Sequence, residues 1–94
     1  MSALSKAFSP ALREIRVLLC QSSPASAGTR QFIQTAYPAI KKQNPDLPVL
    51  IREAQGTPAR VFARFERGVE RHVELDNLSA SDVERKVADL LKSS

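Results

Sequence analysis

The residue best suited to chemistry is Cys20, the sole cysteine of the chain. It closes an apolar run, Ile15-Arg16-Val17-Leu18-Leu19, and is followed by Gln21-Ser22-Ser23-Pro24, where a helical pattern begins. A thiol at such a junction is placed for nucleophilic or redox work, because the thiolate is the reactive form and the amides of a helix N-terminus stabilise it. A dithiol site needs a second sulfur three residues on to resolve the mixed disulfide; here that position is Ser23. No Lys, Arg or His lies between Cys20 and Arg30 to lower the thiol pKa. These residues favour a structural cysteine at the end of a core strand, with a monothiol mechanism as the redox alternative.

Two other features could carry function. His72 is the only histidine and stands between Glu70 and Glu74 in an alternating segment, which fits a solvated strand face; no second histidine or acid/base dyad accompanies it. Arg60, Arg64, Arg67 and Arg71 cluster with Phe62 on a predicted hairpin and form the best electrostatic candidate for a partner surface. Glu66, Glu70 and Glu74 interleave with them, which suits a protein interface with ion pairs better than a phosphate track. No glycine-rich phosphate loop is present.

The elements that must hold these residues are legible from periodicity. Glu14 to Cys20 reads as a strand whose two faces both turn apolar toward its end, the pattern of a central strand covered on both sides. Phe32, Ile33, Ala36, Tyr37 and Ile40 mark one face of a helix, capped at its start by Ser23 with Pro24 at the first position, or by Ser26 a turn later. Pro38 predicts a kink or break, and Asn44-Pro45 a stop. Leu47 to Glu53 is a second strand, parallel to the first through a right-handed crossover. Arg60 to Glu66 and Val69 to Leu75 alternate across Arg67-Gly68 as an antiparallel hairpin. A last helix opens at Ser79-Ala80-Ser81-Asp82, with Ser81/Glu84 or Ser79/Asp82 as its capping box, and buries Val83, Val87, Leu90 and Leu91.

The order β-α-β-β-β-α predicts an α/β domain with a four-stranded mixed sheet and flanking helices, of the thioredoxin-like class; a ferredoxin-like sheet would want β-α-β-β-α-β. Residues 1–12 read as an N-terminal arm and 13–94 as the domain. The arm carries Lys6 and Arg13 beside it, three serines and no acid, as a weak mitochondrial leader would. In a thioredoxin-like fold a cis-proline precedes the third strand opposite the cysteine, which makes Thr57-Pro58 the candidate.

At 94 residues the chain is one domain with a small core that gains from docking to a partner. A net charge of +4 is compatible with nucleic acid, but no basic block occurs. One cysteine excludes an internal disulfide and, with one histidine, argues against structural zinc. No apolar run approaches the roughly 20 residues that span a bilayer.

The segments LREIRVLLCQSSPASAGTRQFI, NPDLPVLIRE and ARVFARFERG, in this order and spacing, resemble the thioredoxin-like accessory subunits of mitochondrial complex I, a domain family shared with some mitochondrial ribosomal proteins. The resemblance covers about Leu12 to Leu91. It implies a mitochondrial protein of the inner-membrane complex on its matrix side, near the NADH-oxidising module, supporting assembly and stability of the peripheral arm. It implies no catalytic site, cofactor or metal, no small-molecule substrate, no nucleic acid and no direct membrane insertion. Its partners would be other complex I subunits, the large iron–sulfur subunit first. Animal members carry a second cysteine after the second strand that can pair with the one matching Cys20; the corresponding residue here is Ala54, which removes that pairing. A ribosomal protein of the same family and a monothiol redox module are the alternative readings.

Overall fold

Alternation of apolar and polar residues builds the sheet, and a 3.6-residue apolar period builds the two helices that cover it. A computed structural model describes residues 8–92; most of the leader-like segment lies outside them. The strands are β1 (Leu12–Leu19), β2 (Val49–Glu53), β3 (Arg60–Phe65) and β4 (Glu70–Glu74), and the helices α1 (Ala27–Gln43) and α2 (Ala80–Lys92). Short 3-10 turns occupy Pro24–Ser26 and Glu66–Gly68. The sheet order is β2-β1-β3-β4. β1 pairs with β2 in parallel, Val17 opposite Ile51, and with β3 antiparallel, Val17 opposite Val61; β3 pairs with β4 antiparallel. The molecule is therefore mixed α/β with a four-stranded mixed sheet, as expected.

Local chemistry sets the boundaries. Ser23 accepts from the Ala25 amide at 3.2 Å and caps the turn that begins with Pro24. α1 proper starts after Ser26, whose hydroxyl is used elsewhere. α1 runs through Pro38 without a break. Proline removes one bond, to the Gln34 carbonyl, while Phe32, Ala36 and Ile40 keep a continuous buried stripe on both sides of it. Ser79, not Ser81, caps α2 by accepting from the Asp82 amide at 3.2 Å.

The main correction concerns layers. Ile15, Val17 and Leu19 of β1 and Val61 and Ala63 of β3 pack against Phe32, Ala36 and Ile40 of α1 and against Val83, Val87 and Leu91 of α2. Both helices thus lie on one face of the sheet and touch each other. Among the described residues nothing covers the opposite face, and the 19 Å shortest dimension fits one sheet plus one helix layer. The reason is the connection between β2 and β3. Residues 54–59 cross the end of β1 as a loop, with no helix to form a third layer. Leu18, on the second face of β1 that the sequence reading takes as covered, is only half-buried there.

The start of β1 is tied in by the residues before it. The Ser9 amide donates to the Leu91 carbonyl at 3.0 Å, and the Glu66 amide donates to the Ala11 carbonyl at 2.8 Å.

Candidate functional site

Cys20 follows directly on β1, and three segments converge on it. Its amide donates to Ser26 Oγ at 3.1 Å, which fixes the first turn ahead of α1 to the end of the strand. Its sulfur accepts from the Ser23 amide at 3.4 Å and from the Gly56 amide at 3.3 Å, with Ser22 Oγ at 3.8 Å. Gly56 has φ +80°, a left-handed conformation that glycine adopts without strain and that turns the 54–59 loop over the sulfur. The loop is anchored by the Ala54 amide on the Leu19 carbonyl at 3.1 Å.

These amides change the thiol. Hydrogen bonds from the backbone of Ser22, then Gly56 and Ser23, hold its pKa at about 7 against the 9.0 of a free thiol, although burial opposes the shift. The expectation of an unperturbed thiol rested on the lack of nearby basic side chains, whereas backbone donors do the lowering. Arg30 nevertheless belongs to the corner. Its Nη1 donates to the carbonyls of Cys20 at 3.0 Å and Ser23 at 2.8 Å, clamping the turn. The sequence signal for Arg30 is its spacing, two helical turns after the capping Ser23, which returns its guanidinium to that turn.

The arrangement stabilises a thiolate but gives it no partner. The chain has no second cysteine, and Ser23 meets the sulfur with its amide. At 2% exposure Cys20 is closed to a bulky substrate. Among the described residues no group of three or more His, Cys, Asp or Glu could hold a metal ion.

Pro58 departs from expectation. No cis peptide bond occurs among the described residues, so Thr57-Pro58 is trans. Gly56 already reverses the chain, and the trans isomer is intrinsically preferred. What fixes the following residue is Asp76, whose Oδ1 accepts from the Ala59 amide at 2.8 Å. The same corner brings α1 against the loop before α2. The Asn77 amide donates to the Ala25 carbonyl at 2.8 Å, and Gly28 lies so close to Leu78 that a Cβ would stand 2.0 Å from its carbonyl oxygen.

The arginine cluster divides. Arg60, Phe62 and Arg64 alternate onto the uncovered face of the sheet. Arg71 pairs with Ala63 and so points to the helix side, near Lys86 and Asp89 of α2. Arg67 sits in the hairpin turn with φ 64°. The five residues do not form one surface. On the uncovered face Phe62 lies between Arg16, whose guanidinium carbon is 5.3 Å from the ring centroid, and His72, stacked at 5.1 Å. Arg16 also binds Glu70 and, at 3.2 Å, Glu14. A separate groove of about 690 Å³ lies at the opposite end of β1, between Phe8–Pro10 and residues 43–48, with Arg13 and Asp46 as its charged lining residues.

The sequence is similar to known proteins along most of its length. The model of the mitochondrial ribosomal protein L51 / S25 / CI-B8 domain matches residues 29–80. A plant relative from Arabidopsis thaliana, named NADH dehydrogenase (ubiquinone) 1 alpha subcomplex subunit 2, is 46% identical over 92% of this chain and 89% of its own length. The Neurospora crassa NADH-ubiquinone oxidoreductase 10.5 kDa subunit is 47% identical over 93% of each chain. The Mus musculus alpha subcomplex subunit 2 is 49% identical over 85% of this chain and 81% of its own length.

Proposed function

The chain belongs to the family of the NADH dehydrogenase alpha subcomplex subunit 2, within the L51 / S25 / CI-B8 domain family, and we propose that it acts as a non-catalytic accessory subunit of mitochondrial respiratory complex I. Its role is to support assembly and stability of the peripheral arm on the matrix side of the inner membrane, near the NADH-oxidising module. Its partners are other complex I subunits, the large iron–sulfur subunit among them.

The observation that carries this reading is 46–49% identity over 85–93% of the chain to relatives from a plant, a fungus and a mouse whose names all place them in the same enzyme. The Cys20 corner agrees with it. A parallel β-α-β unit followed by an antiparallel hairpin and a helix supports a thioredoxin-like reading of the fold, with the strand-to-helix corner kept and the resolving thiol replaced by Ser23. Among the described residues no helix is long and apolar enough to cross a membrane, which suits attachment through a partner.

Deletion of the gene tests the proposal. Native gels of solubilised mitochondrial membranes should show loss or fragmentation of the peripheral arm and reduced NADH dehydrogenase activity. An intact, fully active complex would refute it, and cosedimentation of the chain with ribosomal RNA would favour the ribosomal branch of the family instead.

A further inference from the structure

The uncovered sheet face is built differently from an ordinary solvated face. Its middle row runs Leu50, Arg16, Phe62 and His72 across β2, β1, β3 and β4, and the next row runs Arg52, Leu18, Arg60 and Glu74. Leu50 and Phe62 flank Arg16 in one row and Leu18 lies in the next, all three half-buried, so apolar side chains stand on three neighbouring strands with no helix over them. Solvated faces of antiparallel sheets carry polar residues at such positions.

Charge on this face is unbalanced. Arg16 takes both Glu14 and Glu70. No ion pair among the described residues engages Arg52, Arg60 or Arg64. Arg60 is half-buried, and its Nε is out of water without an acceptor. A buried donor left unpaired is costly, and a carboxylate is the acceptor that fits a guanidinium best. Arg52 and Arg60 are register neighbours of Leu18 on its two sides, so they stand about 10 Å apart, two strand spacings, with an apolar side chain between them.

We propose that this face is the surface by which the subunit docks, and that its occupant is a protein surface presenting two carboxylates on either side of an apolar side chain, held by Arg52 and Arg60 around Leu18. The proposal rests on the accessory-subunit reading above and gives it a location. Nucleic acid is disfavoured by Glu14, Glu70 and Glu74, which would stand against phosphates on the same face.

The test uses the full chain, expressed in cells lacking the gene, in three forms: unchanged, Arg52→Glu/Arg60→Glu, and the charge-matched Arg85→Glu/Lys86→Glu on α2. Native gels read the fraction migrating with complex I, and thermal unfolding of each purified chain reads folding. The open-face variant should be folded yet incorporated at least about tenfold less than the unchanged chain, with the α2 variant retained. Incorporation of the folded open-face variant at the unchanged level overturns the docking face and leaves the accessory-subunit reading standing, as does equal loss in the α2 variant. Failure of the unchanged chain itself to migrate with complex I instead overturns the functional reading, and the docking face with it. Should Arg60→Glu impair folding, Arg52→Glu alone decides, because Arg52 is exposed at the sheet edge.

Discussion

Gly28 is a position where a single added carbon should be costly, and its effect can be worked from the structure. A Cβ built there meets the Leu78 carbonyl oxygen at 2.0 Å, Ser79 C at 2.9 Å and Leu78 C at 3.0 Å, all backbone atoms. Because Cβ atoms do not approach heavy atoms closer than 3.0 Å, the start of α1 and the 77–79 loop must separate by about 1 Å. That separation stretches the bond from the Asn77 amide to the Ala25 carbonyl, now 2.8 Å, out of hydrogen-bonding range. Overpacking and the lost bond together cost about 3 kcal/mol, and the better helix propensity of alanine returns at most about 1 kcal/mol. The net loss for Gly28→Ala is about 2 kcal/mol, a sizeable share of the roughly 5–14 kcal/mol expected for a domain of this length. It corresponds to a fall in Tm of about 8–16 °C. Circular dichroism during heating measures the fall, and amide exchange at Asn77 reports whether the hydrogen bond has opened. A Tm at or above that of the unchanged chain, with the Asn77 amide still protected, would refute the steric argument.

Other perturbations follow from the same corner. The Cys20 thiol has a pKa of about 7 when folded and 9.0 when free, so between these values the unfolded chain binds more protons and stability rises with pH. The contribution is full above pH 9 and lost as pH falls through about 7; urea midpoints at pH 6 and pH 9 should differ in that sense, and Cys20→Ser should remove this component of the difference. The same substitution should leave complex I assembly and activity close to normal on native gels, because a serine hydroxyl can still accept from the Ser23 and Gly56 amides and no second thiol depends on the sulfur. Asp76→Ala should lower stability by about 1–3 kcal/mol in urea titration, by stripping the acceptor from the amide of fully buried Ala59, and Asp76→Asn should recover most of it.

Much of the fold is readable from residue pattern. Clean alternation in Arg60–Phe65 identifies β3, and the stripe of Val83, Val87 and Leu91 identifies α2, because one side of each is dry. Layering was harder to read. Leu18 beside Leu19 predicts a β1 covered on both faces, yet apolarity alone cannot say whether the cover is a helix of the same chain or another molecule. The five residues of the arginine cluster form one group in sequence only. The alternation of β4 separates Arg71 from Arg60 and Arg64, since a strand sends successive side chains to opposite faces. At Cys20 the decisive groups are backbone amides of Ser22, Ser23 and Gly56, which have no side-chain signature; Gly56 is far along the chain and reaches the sulfur only through the crossing loop.

That β1 is an interior strand governs when the molecule can form. It is made first, but its neighbours come much later: Ile15 waits for Val49 on one side and Ala63 on the other, and the layer beneath is completed by Val83, Val87 and Leu91 near the end of the chain. A chain emerging N-terminus first therefore holds this strand with both edges unpaired until Glu53 has appeared and with one edge still open until Phe65, and has no finished core before α2. Loop closure over such separations slows folding and exposes the strand to other chains in the interval. Folding is thus deferred to the completed polypeptide, and a chain truncated before Arg60 yields an open-edged, adhesive β-α-β fragment instead of a smaller domain.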